Sequence, residues 1–226
     1  MDGLHIYNLV QAVFYRGLIK QIVNLKIIFR LTITFLWFTI SPLGDEVMKE
    51  NTRKRTLNLI LAALFTAITA VLSQTAIPTP FDVPLTLQTF AVAFCGYTLG
   101  VKWGFASITA YILLGTVGVP VFSGFKGGAQ VLFGATGGFI FGFLFLVLLC
   151  GFSHIIKNKY LKFLPGFGGL ALCHIWGTVQ YAVIYKMQVI PAFLLVSAPY
   201  LIKDAVSVAA AYLLSLYTIK LIKKIR

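Results

Sequence analysis

PYLIKDAVSVAAAYLLSLYTIKLI, residues 199–222, is apolar over nearly its whole length, yet it carries Lys203 and Asp204 side by side near its start. At ~1.5 Å per residue the stretch is long enough to cross the ~30 Å hydrocarbon core of a bilayer as a helix. A charged side chain at membrane depth costs about 2.5 kcal/mol or more, so charges kept there are read first as functional. Two readings of Asp204 follow from chemistry alone: an acceptor facing a ligand, or a buried ion pair with some lysine.

The rest of the chain has the same character. Of its 226 residues 59% are hydrophobic and 11% charged, and mean hydropathy is +0.91. A soluble domain of this size could not bury that much apolar surface, so the chain reads as an all-α integral membrane protein. The net charge of +13 comes from residues between apolar segments and at the ends, without a basic face or an aromatic-interleaved stripe. It therefore speaks for orientation in a membrane and against nucleic acid. Cys95, Cys150 and Cys173 fall singly inside apolar runs and read as small core residues, implying neither disulfide nor metal.

Residues 1–47 differ from the remainder of the chain. Their apolar run IIFRLTITFLWFTI (27–40) is interrupted by Arg30, is shorter than a span and lacks a signal-peptide cleavage pattern. We expect an N-terminal extension outside the core fold, and a domain of residues 48–226 opened by the basic MKENTRKR (48–55). An upstream start-site assignment is one explanation of the extension.

Six candidate spans lie beyond it, from about Leu57 to Ile77, Leu87 to Val101, Trp103 to Val119, Gly134 to Ile156, Phe163 to Tyr185 and Pro199 to Ile222. The second and third are short, so tilting, a break or burial among neighbours is expected of them. With a cytoplasmic N-terminus, the inner side receives Lys49, Arg53, Lys54, Arg55, Lys102, Lys157, Lys159, Lys162, Lys220, Lys223, Lys224 and Arg226, and the outer side only Lys126, Lys186 and Lys203. That bias satisfies the positive-inside rule and brings both termini to the cytoplasm. The links TAIPTPFDVPLTLQ (75–88) and GVPVFSGFKGGAQVLFGATGG (118–138), and YLIKD (200–204), then share the outer side. They read as a re-entering loop or as a lidded pocket open to the exterior.

VPLTLQTFAV (83–92), YILLGTVGVPVFSGFKGG (111–128), GATGGFIFGF (134–143) and PYLIKDAV (199–206), in this order, resemble the BioY family, the biotin-binding S components of energy-coupling factor (ECF) transporters. The resemblance spans nearly all of residues 55–222. It implies an S-component-like bundle of six transmembrane helices in the cytoplasmic membrane. Such a subunit captures biotin from outside and works with a transmembrane coupling protein and two ABC-type ATPases. The chain's own chemistry fits, because it contains no phosphate-binding G-x-x-x-x-G-K-[ST] loop. A solitary biotin facilitator and an S component for a different vitamin are the alternatives.

Site residues follow from the ligand's chemistry and the resemblance together. Biotin presents ureido N–H donors, an apolar ring and a carboxylate, and so calls for an acceptor, an apolar slot and a cation. Asp204 matches the family's acid, and a carboxylate accepting a ureido N–H makes a charge-assisted bond. Lys203 sits about 100° away on the helix, so it is expected to snorkel outward or to bend toward the ligand's carboxylate. Lys126, ahead of Gly127 and Gly128, is the other candidate cation. Relatives carry Pro-Gly before the acid and a lysine three positions after it, where this chain has Ile202, Lys203 and Ser207, and Ala135 stands where a proline is usual. Gln88 and Thr86 read as ligand contacts or helix caps. Trp176, with Phe122 and Phe125, reads as a ring clamp or as core, and His174 as a satisfied core histidine.

In LNLILAALFTAITAVL (57–72) small residues recur at four-residue spacing in two registers, Ala63/Ala67 and Ala62/Thr66/Ala70. Such stripes allow close helix contact in lipid. ALFTA matches the family's docking pattern for the coupling protein, so Ala63 and Ala67 are the expected docking residues, internal packing being the other reading. An intramembrane enzyme is disfavoured: beyond Glu50 the acids are Asp82 and Asp204 alone, and no catalytic motif or cofactor signature is present.

Overall fold

The computed structural model describes residues 50–225, apart from Pro78, Phe81 and Lys159. The expected extension, residues 1–47, lies outside the described residues. Among the described residues seven helices are formed: α1 Glu50–Ser73, α2 Gln88–Thr116, α3 Ala129–Leu132, α4 Gly137–Phe152, α5 Leu164–Ile184, α6 Val189–Val196 and α7 Ala198–Ile225. Only the isolated bridges Ile77–Leu85 and Phe122–Lys126 interrupt the helix-and-loop pattern among the described residues. By length and composition, Thr52–Ser73, Leu164–Ile184 and Ala198–Lys224 can each cross a membrane, and Gly137–Phe152 is a shorter apolar helix.

α1 starts within the polar flank ahead of Leu57 and stops at Ser73, short of Ile77, which instead pairs with Leu85. Its inward stripe is Leu57, Leu61, Phe65, Thr69 and Leu72, while Leu59 and Val71 are exposed. Apolar residues on both faces suit a helix between protein and lipid, where the usual polar outer face is absent. The polar groups of α1 are satisfied internally: the Thr66 hydroxyl lies 2.9 Å from the Ser107 carbonyl and Ser107 Oγ donates to the Ala62 carbonyl at 2.8 Å. In lipid such cross-helix bonds replace water.

The two short segments expected to be separate spans are the two arms of α2, which folds back at Gly100. There φ is +76° and ψ −175°, backbone that a side chain would strain. Gln88 at the start of one arm hydrogen-bonds Tyr111 of the other, Nε2 to Oη at 2.7 Å, so the arms run antiparallel. The break strips the Tyr97 carbonyl of its helical partner, and His154 Nε2 donates to it at 2.7 Å. The first arm is sunk in the bundle, with Ala91, Val92, Ala93 and Cys95 fully buried.

α4 and α5 pack by backbone approach. A Cβ on Gly138 would lie 2.9 Å from Gly177 Cα, one on Gly142 2.8 Å from Cys173 Cα, and one on Gly169 2.9 Å from Leu146 Cα. Two stripes at four-residue spacing thus interlock with opposite chain direction. All three cysteines are free and buried.

This packing generates a paired prediction. Gly142→Leu should cost about 1–3 kcal/mol by overpacking, whereas a side chain at Gly168 meets nothing within 4 Å, so Gly168→Ala should be neutral or slightly stabilising. Thermal unfolding of the detergent-solubilised variants checks both, and equal melting temperatures would contradict the interlock.

Candidate functional site

α7 begins by placing Tyr200, Lys203 and Asp204 on one face at helical spacing, against α5 and the loop after α1. They line a cavity whose wall also holds Phe139, Ile140 and Phe143 of α4, Leu170 and His174 of α5, and Val196 of α6. Apolar side chains make about half of the wall and polar ones, among them Thr86, Gln88, Thr89 and Thr136, the rest, so the cavity offers both apolar surface and hydrogen-bonding groups to a small molecule.

Asp204 is the centre of the polar set and is only 5% exposed. Its Oδ2 lies 3.3 Å from His174 Nε2 and its Oδ1 2.6 Å from Lys203 Nζ. The same ammonium also donates to the Thr86 carbonyl at 2.8 Å, so Oδ1 is a buried oxygen whose partner is the Lys203 charge. Ser123 Oγ, also in the wall, is a buried hydroxyl oxygen without a hydrogen-bond partner. A buried polar group left unused is costly and calls for a partner.

The imidazole is held from behind. His174 Nδ1 lies 3.1 Å from Ser197 Oγ, and Thr178 Oγ1 2.7 Å from the same oxygen. Ser197 forms the corner between α6 and α7 and is fully buried, so the joint itself supplies the polar support.

Two loop segments cover the cavity. The segment after α1 is tied to α7 by Tyr200 Oη, which donates to the Val83 carbonyl at 2.5 Å, and to the end of α5 by Tyr185 Oη, 2.6 Å from Asp82 Oδ2. That bond to the Asp82 carboxylate holds the Tyr185 phenol up, at about 12. The segment after α2 turns between Phe122 and Lys126, whose backbones pair in both directions. Gln74 Oε1 accepts the Phe125 N–H at 2.8 Å and its Nε2 donates to the Phe122 carbonyl at 3.2 Å, while Tyr111 Oη donates to the Val121 carbonyl.

The structure brings together Asp204, Lys203, Gln88 and Lys126 from the expected set. Lys203 and Asp204 do meet, contrary to the expectation from their ~100° separation, because the four-carbon stem curls back to the carboxylate. Asp204 therefore forms an ion pair with a lysine and at the same time lines the cavity. Gln88 is engaged internally, its Nε2 with Tyr111 and its Oε1 with Thr86 Oγ1 at 3.1 Å, and so braces the wall. Lys126 is exposed at the cavity margin.

Other expected residues lie elsewhere. Gly127 and Gly128 stand outside the cavity wall: the Gly128 N–H donates to the Gly115 carbonyl at 2.7 Å, and a Cβ on Gly127 would meet the Gly118 and Val119 carbonyls at 2.7 Å. They let the loop close on the end of α2. Trp176 is 51% exposed and pairs with Phe145 at 5.9 Å on the outer surface. Two positions beyond His174 on the helix, it points about 200° away from the cavity. Phe122 lines the cavity, whereas Phe125 is exposed at the loop tip. Ala63 and Ala67 occupy the exposed face of α1; Ala62 and Thr66 face inward.

Sequence reasoning missed the Ser197–Thr178 support, the engagement of His174 with Asp204, and the anchoring roles of Gln74, Tyr111 and Tyr200. One signal was present: His174 and Thr178 are polar residues four apart in an otherwise apolar span, hence on one face.

Comparison with known proteins agrees with this architecture. The chain is 37% identical to the biotin transporter BioY of Thermotoga maritima over 164 residues, covering 72% of this chain and 96% of the relative. It is 36% identical to a probable biotin transporter BioY of Pyrococcus horikoshii, with 69% and 91% covered. Its fold matches the crystal structure of the S-component for biotin from an ECF-type ABC transporter with TM-score 0.67 and 24% identity, over 78% of this chain and 95% of that one. The profile of the BioY family matches residues 47–224, and the chain belongs to the BioY family.

Proposed function

We propose that this chain captures biotin from outside the cell for import, as the substrate-binding subunit of an ATP-driven ECF-type transporter. One observation carries the reading: a buried carboxylate, Asp204, in the wall of a cavity that also offers aromatic and aliphatic surface. A carboxylate has acceptor sites beyond those taken by Lys203 and His174, and a ureido N–H donating to it makes a charge-assisted bond. Phe139, Ile140 and Phe143 supply apolar surface for the fused rings. Lys203 or Lys126 meets the carboxylate of the valerate tail.

The same reading assigns six spans, counting the two arms of α2, with both termini in the cytoplasm and the cavity facing out. Lys102, Lys157, Lys162, Lys220, Lys223 and Lys224 then lie toward the positive inner side, in keeping with the charge rule. Residues 1–47 are an extension to this domain. Energy comes from two ATPases through a membrane coupling protein that meets α1. The exposed Ala63 and Ala67 give that partner a face where backbones can approach.

Calorimetric titration of the purified protein against biotin, thiamine and riboflavin tests ligand and class together, with biotin alone expected to bind. Asp204→Asn should weaken biotin roughly ten- to a hundredfold, since a charged hydrogen bond contributes about 1.5–3 kcal/mol. An unaltered isotherm removes Asp204 from the site. Of Lys203→Met and Lys126→Met, the variant that loses affinity for biotin but not for biotin amide identifies the carboxylate anchor. Ala63→Trp with Ala67→Trp should abolish uptake in cells while leaving the isotherm intact, and loss of both would place this stripe in internal packing. Uptake by the subunit without any ATPase would favour a solitary facilitator.

A further inference from the structure

A second cavity opens at the opposite end of the bundle, where α2 turns at Gly100. Its wall is built from Asn58 and Leu61 of α1, Tyr97, Thr98 and Leu99 at the turn, Ser153 and His154 after α4, and Tyr212 to Lys223 along α7. Three lysines contribute to it, Lys162, Lys220 and Lys223, and no acidic side chain does among the described residues. Thr98 is 6% exposed and its Oγ1, in the same wall, is buried without a hydrogen-bond partner. Ser215 and His154 also line this concave basic pocket, the Ser215 hydroxyl donating to the Tyr212 carbonyl at 2.6 Å and His154 Nε2 to that of Tyr97. Leu61, Leu99, Leu216, Ile219 and Ile222 add apolar wall, and Leu213, Leu216 and Tyr217 are exposed on the adjoining face of α7.

We propose that this cavity holds the phosphate of an anionic phospholipid. A phosphate diester is an oxyanion with several acceptor oxygens, which matches ammonium groups and a hydroxyl lacking a partner. A basic pocket between membrane helices, at the depth where lysines reach the interface, is the geometry that takes anionic headgroups. The exposed leucines beside it offer a track for the acyl chains, which a soluble phosphate would not use. The site is separate from the Asp204 cavity and shares no residue with it.

The test uses the full chain in nanodiscs of mixed phosphatidylglycerol and phosphatidylcholine, released into native mass spectrometry to count retained lipid. Phosphatidylglycerol should be retained over phosphatidylcholine. Lys162→Gln, Lys220→Gln and Lys223→Gln should each weaken retention roughly fivefold, as expected for about one lysine's worth of headgroup attraction. Thr98→Val should weaken it without any change of charge. A control variant, Lys102→Gln with Lys157→Gln and Lys224→Gln, removes three charges outside the cavity, against one in each cavity variant, and should keep the preference within about twofold. Equal loss in the control would show general attraction to the basic end and overturn the site. No preference between the two lipids would also overturn it, and displacement by millimolar inorganic phosphate would reassign the pocket to a soluble anion. Biotin titration of each variant verifies that the fold is retained.

Discussion

Holding a carboxylate inside a bundle of apolar helices is the constraint around which this protein is arranged. Removing an ion from water costs several kcal/mol unless neighbours replace the hydration. Asp204 receives that replacement from Lys203 and His174, and each of these is held by something further. Lys203 is fixed by the Thr86 carbonyl of the covering loop. His174 is fixed by Ser197 at the corner between α6 and α7. The position of one acid thereby couples three helices and a loop at the cavity wall.

The same need to satisfy polar groups without water explains features far from that acid. The α2 hairpin places a broken backbone within the bundle, which is tolerated because His154 takes up the stranded Tyr97 carbonyl. Thr66 and Ser107 join α1 to α2, the first through the Ser107 carbonyl and the second through the Ala62 carbonyl. Gln74 serves the covering loop in the same way, with its amide spread over Phe122 and Phe125. Between α4 and α5 glycine stripes allow close contact by dispersion, beside a bond from Cys173 Sγ to the Phe139 carbonyl at 3.6 Å.

Much of this was legible in the residues. The spans followed from apolar length, and the acid beside Lys203 stood out because charge in such a stretch is expensive. The inward or outward facing of individual side chains was not legible. A helix that is apolar all round carries no polar face from which rotation can be read. The residues alone offered Trp176 as a ring clamp and His174 as a core histidine, whereas packing against α4 and α7 put the histidine at the cavity and the tryptophan on the surface. Local geometry misled for Lys203, where directions at Cβ differ by a third of a turn but the long stem reaches round to the carboxylate.

By itself the sequence determined the solvent this chain folds in, the number and approximate extent of its apolar segments, and the presence of one unusual acid among them, because these depend only on composition and length along the chain. Tertiary structure alone decided that Gly100 turns two of those segments into one hairpin, that Ser197 and Thr178 stand behind His174, and that His174 meets Asp204 at the cavity. Each of these is a meeting of groups distant in sequence, set by which helix faces can approach closely and which polar atoms must find one another in the absence of water.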